Sequence, residues 1–392
     1  MVPGCTTLRV MNVGPLSIPA PRVGSVRVSS STAASLSVIL GGYAAGRLIV
    51  VIAAWFSDTL LVRNPNLTSG SPGAILQALT SWDGWWYMGI ARGGYQLAPL
   101  QLDHHNYAFL PLYPMLVRLL SSPFPGADGL IAVLISHVLF AVALVLLFAL
   151  GRRHIGDQRA ALACFLLAIS PFSAVFSMAY GESLFLVLAI GSFLAAERGN
   201  RPAAGMLLAL SALCRLQGAV LFLPLWILFL RQDSLRPRLS QAWVLLAPLA
   251  VAAFVVYVAW FTGSLDAFVT NMAEWGRGGA VVGATAGQNI AAHFNPIQLV
   301  LLVVLCASLF PFVYARADGL RLEYVLIPVL FIGVTFVSGN LESIGRYITA
   351  AFPFAWLLAN RRTVFWRRTW PVISAGLLAL FSVLSFGGYW VP

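Results

Sequence analysis

Charge is scarce in this chain. Only 9% of the 392 residues are charged, where a soluble globular protein carries roughly a quarter. With 59% apolar residues and a mean hydropathy of +0.85, no soluble fold of this length hides its apolar surface, so the bilayer is the implied solvent. Lysine is missing altogether: all 24 basic residues are arginine, which reflects a GC-rich genome rather than chemistry. The net charge of +11 does not point to nucleic acid, because the arginines sit in short clusters between apolar runs and form no basic surface of any size. Cysteine is limited to Cys5, Cys164, Cys214 and Cys306. Three of these lie in apolar runs and none forms a CxxC pair, so neither a disulfide framework nor a metal site is indicated. Walker, dinucleotide-binding and DxD motifs are absent as well.

What the chain has in abundance is apolar runs. Hydropathy gives candidate spans at 35–56, 129–150, 160–178, 182–197, 202–214, 216–230, 242–262, 297–315, 322–338, 344–360 and 369–388. This predicts an all-α integral membrane protein of about eleven transmembrane helices, one domain over 35–392. A full span takes about 20 residues, so 182–197, 202–214 and 216–230 fall short. Broken helices of that kind are tolerated where they line a protein-walled cavity. Residues 1–34, rich in Ser, Pro, Val and Gly, are expected to form a disordered cytoplasmic tail, since the apolar stretch after them is too long for a signal-peptide core.

With that tail inside, the inner connections and the tail hold seventeen arginines and the outer connections six, the asymmetry the positive-inside rule requires. A single helix over 202–230 would put Arg231, Arg236 and Arg238 outside, so a hairpin with Arg215–Gly218 at its outer turn fits better. The inner loops, about ten residues or fewer, cannot hold a nucleotide-binding domain. The outer side has two long connections, 57–128 and 263–296. Chemistry is therefore expected at the outer face of the plasma membrane, on a lipid-borne substrate. Gly276, Gly278, Gly279, Gly283 and Gly287 in the second loop suggest a lid ordered by a ligand.

The first outer loop carries the constellation of most chemical interest. Ser71-Pro72 reads as a helix start, with serine capping and proline at the first helical position. Ile75, Leu79, Trp82, Trp86 and Ile90 then share one stripe at helical spacing, which predicts an amphipathic helix lying in the interface with Trp82, Trp85, Trp86 and Tyr87 at headgroup depth. Asp83 stands among these aromatics. Unpaired there, it would have its pKa raised by desolvation and would suit a general base; the plain alternative is a solvated aspartate on an interfacial helix. Tyr107–Pro114 has two prolines and three aromatics, a stiff wall rather than a regular helix. His104 and His105 precede it, and adjacent histidines point apart, so surface placement is favoured over a metal site.

Three polar islands interrupt the apolar runs: Tyr180-Gly-Glu182-Ser183, Arg215-Leu-Gln217 and Ser343-Ile-Gly-Arg346-Tyr347. All map to outer helix ends, where ionisable residues are functional candidates by default. Glu182 and Arg215 have a structural alternative, pairing with each other. Arg346 is the better phosphate ligand, since guanidinium grips phosphate at two points and stays charged at any depth. Arg47, midway along the first span, reads as snorkelling or pairing with a helix carbonyl.

At these residues the chain resembles the PIG-V type mannosyltransferases, members of the GT-C class of multispanning glycosyltransferases. The resemblance rests on Trp82-Asp-Gly-Trp-Trp-Tyr-Met-Gly-Ile-Ala-Arg-Gly-Gly-Tyr95 and Ala108-Phe-Leu-Pro-Leu-Tyr-Pro114, followed in order by Tyr180–Phe185, Arg215 and Gly345-Arg-Tyr347. It spans roughly 35–360, and it departs at Gly181, where the family often carries Thr. The resemblance implies a GT-C helical bundle and transfer of mannose from a polyprenyl-phosphate-mannose donor to a glycolipid or glycan acceptor. Asp83 would deprotonate the acceptor in an inverting displacement, and Arg346, Arg215 and Tyr347 would hold the departing lipid phosphate. Trp82, Tyr87, Tyr180, Glu182 and Gln217 would contact substrate, and no metal or other cofactor is implied. The competing reading is a polytopic lipid or sugar flippase or transporter. Such folds carry matching broken segments in both halves, and this chain shows no internal repeat.

Overall fold

The computed structural model describes residues 30–61, 71–100, 104–275, 319–338, 343–361 and 363–389. Among these the chain is helical, with no strand. Its helices are α1 (Ser30–Leu60), α2 (Ala74–Leu79), α3 (Asp83–Gly93), α4 (Leu112–Ser121), α5 (Asp128–Ile155), α6 (Asp157–Ala168), α7 (Glu182–Glu197) and α8 (Arg201–Cys214). They continue as α9 (Gln217–Val220), α10 (Phe222–Gln232), α11 (Leu246–Thr262), α12 (Ala267–Glu274), α13 (Leu322–Ser338), α14 (Ile344–Ala350), α15 (Pro353–Ala359) and α16 (Trp370–Gly387). Among the described residues four continuous helical stretches are long and apolar enough to cross a membrane: Ala33–Leu60, Asp128–Ile155, Leu239–Thr262 and Phe365–Gly387. The first 29 residues, the 297–315 run and the five glycines read as a lid, Gly276, Gly278, Gly279, Gly283 and Gly287, lie outside the described residues.

α1 packs on α6 and α16, and α7 is held between α5 and α8. The α1–α6 contact depends on Gly42 and Gly46. A methyl on Gly46 would lie 2.1 Å from the Ala168 carbonyl oxygen, and one on Gly42 would lie 2.8 Å from Phe165. Glycines four apart let two helices approach in lipid, where the hydrophobic effect gives no drive between them.

The reading of a span over 160–178 is corrected. α6 stops at Ala168, and 169–181 is buried irregular backbone with a single 3-10 turn at Ser173–Phe176. Hydropathy misses this because the segment is apolar, but Pro171 cannot continue a helical ladder. The freed polar groups find a partner in Arg47, whose guanidinium donates to the carbonyl oxygens of Ala168 and Ser173, both at 3.1 Å, to Ser177 Oγ at 2.8 Å, and to Ser173 Oγ. Its Cζ sits 4.7 Å from the centre of the Phe140 ring. Of the two sequence alternatives for Arg47, carbonyl pairing is the one observed. Irregular backbone survives at membrane depth only when buried and satisfied in this way. Arg47→Met should therefore lower the unfolding midpoint in detergent by about 2–3 °C, the scale expected in a chain of this length for losing about 2 kcal/mol of buried hydrogen bonding. Arg47→Lys should recover part of the loss, and an unchanged midpoint for the methionine variant would exclude the role.

The first outer loop also departs from its pattern. The helix begins at Ala74 behind Gly73, not at Ser71-Pro72, and Ser71 Oγ instead accepts from Thr80 Oγ1 at 2.9 Å. The single stripe is broken at 80–82, where Trp82 has a φ of 56° and its indole donates to the Ser385 carbonyl at 2.9 Å. This tertiary bond and the docking around it override the helical spacing. Trp86 and Tyr87 are buried in protein instead of lying at headgroup depth. Trp86 stacks on Phe109 at 5.7 Å and meets Trp275 edge-on at 4.9 Å. A single helix over 202–230 is excluded: α8 ends at Cys214 and α9 begins at Gln217.

Candidate active site

Asp83 of the first-loop motif and the ionisable residues of the three polar islands stand where a helix begins or the chain turns. Asp83 opens α3, Glu182 opens α7, Arg346 lies in the first turn of α14, and Arg215 is extended between α8 and α9. Helix N-termini favour the two carboxylates. The turn at Arg215 is tight because Gly218 presses on the preceding helix; a methyl there would lie 2.4 Å from the Ala212 backbone nitrogen. Asp83 is fixed from the other side, its amide donating to Tyr180 Oη at 3.2 Å while the Ala179 amide donates to the Leu79 carbonyl at 2.8 Å.

These placements bring four charges together. Arg346 Nη1 donates to Asp83 Oδ2 at 2.7 Å, and its Nε lies 3.2 Å from Glu182 Oε1, near enough for attraction but not aligned as a hydrogen bond. Arg215 pairs with the same Glu182 oxygen. Glu182 is fully buried, while the Asp83 side chain keeps 15% exposure. The expectation of an unpaired Asp83 is thus corrected: the carboxylate already holds a guanidinium. Tyr180 and Tyr347 flank Arg346, each ring centre 5.5 Å from its Cζ, and Tyr347 lies 5.4 Å from the Arg215 Cζ as well. Aromatic faces of this kind stabilise cations removed from water.

A cavity of about 630 Å³ opens onto this cluster. Asp83, Arg215, Gln217, Arg346 and Tyr347 form its polar side; Tyr87, Phe109, Leu110, Met272 and Val334 are among its other walls. A carboxylate facing space beside two guanidiniums provides a proton acceptor and an anion seat within one pocket. Of the residues proposed from sequence, Tyr180 and Glu182 stand behind the arginines and Trp82 is tied to Ser385, so these three do not line the cavity. Leu110 belongs to the stiff wall read at Tyr107–Pro114. Met272 and Val334 carried no signal, since neither spacing nor chemistry separates them from other apolar residues.

The second long connection, 263–296, reaches the site through α12, whose Met272 lines the cavity. His105 Nδ1 lies 3.0 Å from Glu274 Oε1, and Asn271 and Trp275 both donate to the His105 carbonyl at 3.1 Å. The two histidines are thus partly buried in a loop–loop clamp, not merely on the surface. Burial alone would raise the Glu274 pKa, but hydrogen bonds from the His105 amide and Asn271 prevail and hold it below the usual carboxylate range.

Residues 52–258, just over half of the chain, match the family described as Mannosyltransferase (PIG-V). The chain belongs to that family. The matched region carries Asp83, Glu182, Arg215 and Gln217, while Arg346 and Tyr347 come from beyond it and complete the same cluster. Family relatives include the GPI alpha-1,6-mannosyltransferase 2 of Mus musculus, 34% identical over 156 residues, and that of Cricetulus griseus, 33% identical over the same length. Each match covers 37% of this chain and 30% of the relative, so the chain aligns with under a third of those proteins' length. Among solved structures, ArnT from Cupriavidus metallidurans bound to undecaprenyl phosphate has a similar fold, with a TM-score of 0.52 at 14% identity, covering 90% of this chain and 76% of that one. The helical architecture is therefore of the GT-C kind.

Proposed function

We propose that the protein is a multi-pass membrane mannosyltransferase that takes mannose from a polyprenyl-phosphate carrier and delivers it to a glycolipid or glycan hydroxyl. The observation that carries this reading is the cavity in which Asp83 and two arginines meet. Asp83 accepts the proton of the acceptor hydroxyl; the acceptor oxygen bonds to the anomeric carbon as the bond from that carbon to the phosphate oxygen breaks. The electron pair leaves with the phosphate, which Arg346 and Arg215 hold. Configuration inverts. Arg346 donates to Asp83 in the free protein, so it turns toward the phosphate as donor binds and thereby frees the base.

We place this chemistry at the outer face, in a domain over 35–392 with about eleven spans and a cytoplasmic segment at 1–34, because seventeen arginines against six favour the inner side. The short inner loops leave a lipid phosphate as the leaving group instead of a nucleotide. Membranes bearing the protein, from cells lacking lipid-mannose synthase, should transfer mannose from polyprenyl-phosphate-mannose and ignore GDP-mannose. Direct use of GDP-mannose in that system would defeat the reading.

A further inference from the structure

The cavity beside Asp83 carries polar groups of two kinds. Its charged residues Asp83, Arg215 and Arg346 already hold ionic partners. Among its neutral ones, Tyr347 turns its ring toward both arginines, and the Cys214 thiol donates to the Gly181 carbonyl at 3.1 Å. Gln217 and Tyr87 remain. Both line the cavity and both are buried, at 6% and 4% exposure. Among the described residues, neither the Gln217 amide nor the Tyr87 hydroxyl has a hydrogen-bond partner. Gln241, equally buried, shows the ordinary arrangement. Its amide donates to Asp233 and to the Arg236 carbonyl, both at 2.8 Å, and accepts from the Trp226 indole at 3.2 Å. Burying an amide or a hydroxyl without a partner destabilises a fold, so two such groups on one cavity wall call for an explanation.

Each of the two stands beside a charged residue on the same element. Tyr87 lies one turn after Asp83 on α3, and residues four apart share a helix face. Its ring is fixed by edge-on contacts with Phe109 and Tyr113, both at 5.2 Å. Gln217 follows Arg215 in the turn between α8 and α9, which closes as the Gly218 amide donates to the Arg215 carbonyl at 2.8 Å. The proton acceptor and the phosphate seat thus each have a neutral hydrogen-bonding neighbour. In the proposed reaction the group held between a base and a departing phosphate is the sugar being moved. Its hydroxyls are neutral donors and acceptors. A primary amide offers two N–H donors and a carbonyl acceptor, and a phenol one O–H donor and an acceptor oxygen, which matches hydroxyls in both directions. We propose that Gln217 and Tyr87 hydrogen-bond ring hydroxyls of the transferred hexose and so decide which sugar is accepted. This rests on the transferase reading above and adds to it what selects the sugar.

Donor binding tests the assignment without an acceptor. Purified protein in nanodiscs is titrated with polyprenyl-phosphate-mannose and with analogues that each lack one mannose hydroxyl. At least one analogue should bind the wild-type protein about fivefold or more weakly, because a site built to bond a hydroxyl rejects a ligand without it. Gln217→Met keeps the length of the side chain and loses its hydrogen bonds, so in that variant one such penalty should shrink to within about twofold. Tyr87→Phe keeps the ring packing and should do the same for one hydroxyl. Polyprenyl phosphate without sugar should bind the wild type and both variants alike, which separates hydroxyl recognition from misfolding. Analogues that bind as tightly as the mannose donor, or penalties equal in wild type and variants, would overturn the proposal. Slower transfer with all donor affinities unchanged would overturn it too, since the pair would then serve the acceptor. Wild-type protein that binds none of these lipids would sink the transferase reading itself, whereas mannose transfer with unchanged penalties would sink the sugar contact alone.

Discussion

Asp83→Asn should reduce turnover by at least about a hundredfold, the usual scale for loss of a general base, while donor binding is kept or improved. Asparagine has the same shape and cannot accept the acceptor's proton. It also removes the charge that Arg346 holds at 2.7 Å in the free protein, so the guanidinium is available to phosphate without first releasing a carboxylate. The expected signature is a fall in kcat with a constant or lower KM for the polyprenyl-phosphate donor, measured by steady-state kinetics in detergent or nanodiscs. A purely structural Asp83 predicts something else: both parameters worsen together with the yield of folded protein. A variant that keeps more than about a tenth of wild-type kcat would remove Asp83 from the mechanism.

Arg346→Lys should lower kcat/KM by about tenfold to a hundredfold, the range given by losing one charge-assisted hydrogen bond of about 1.5–3 kcal/mol. Lysine keeps the charge but not the fork, and in this protein the fork reaches both Asp83 and Glu182. The lysine variant is more informative than an apolar one. Removing the cation would leave a fully buried Glu182 with Arg215 as its single ion-pair partner among the described residues, and breaking buried pairs costs about 3–5 kcal/mol. Activity within about threefold of wild type would show that a point charge suffices and that two-point grip plays no part.

The sequence displays the chemistry of this site better than its architecture. Asp83 among aromatics, the short run at 182–197 and the turn at Arg215 are legible because charge is rare in this chain, so every exception to apolarity stands out. The broken first-loop helix is not legible, since the break at Trp82 is set by an indole bond to Ser385, some three hundred residues away in the chain. Nor is the irregular 169–181 backbone, whose apolar side chains match a span while its carbonyls accept from Arg47 of α1 at Ser173, from Ser374 of α16 at Ile169 and from Ser136 of α5 at Tyr180. The Glu182–Arg215 pair, one of the sequence alternatives, is observed, but the pairing of Asp83 with Arg346 was hidden. Asp83 and Arg346 are separately conspicuous, but only the fold decides that Arg346 sits between two carboxylates.

The contact between Arg346 and Asp83 on the cavity wall has a consequence for how one catalytic cycle hands over to the next. In the proposed reaction Asp83 begins with one negative charge and the donor phosphodiester with one. After transfer Asp83 is neutral and the carrier is a monoester bearing about two. The sum is constant, so charge is relocated past the guanidinium, not created beside it, and the surrounding dipoles have little to rearrange. The return step reverses that logic. Once the protonated Asp83 sheds its proton to water, it competes again for Arg346, and the spent carrier loses part of its hold. Deprotonation of the base and expulsion of the carrier thus become a single event, and the contact that confines the base before the first turnover clears the site after each one.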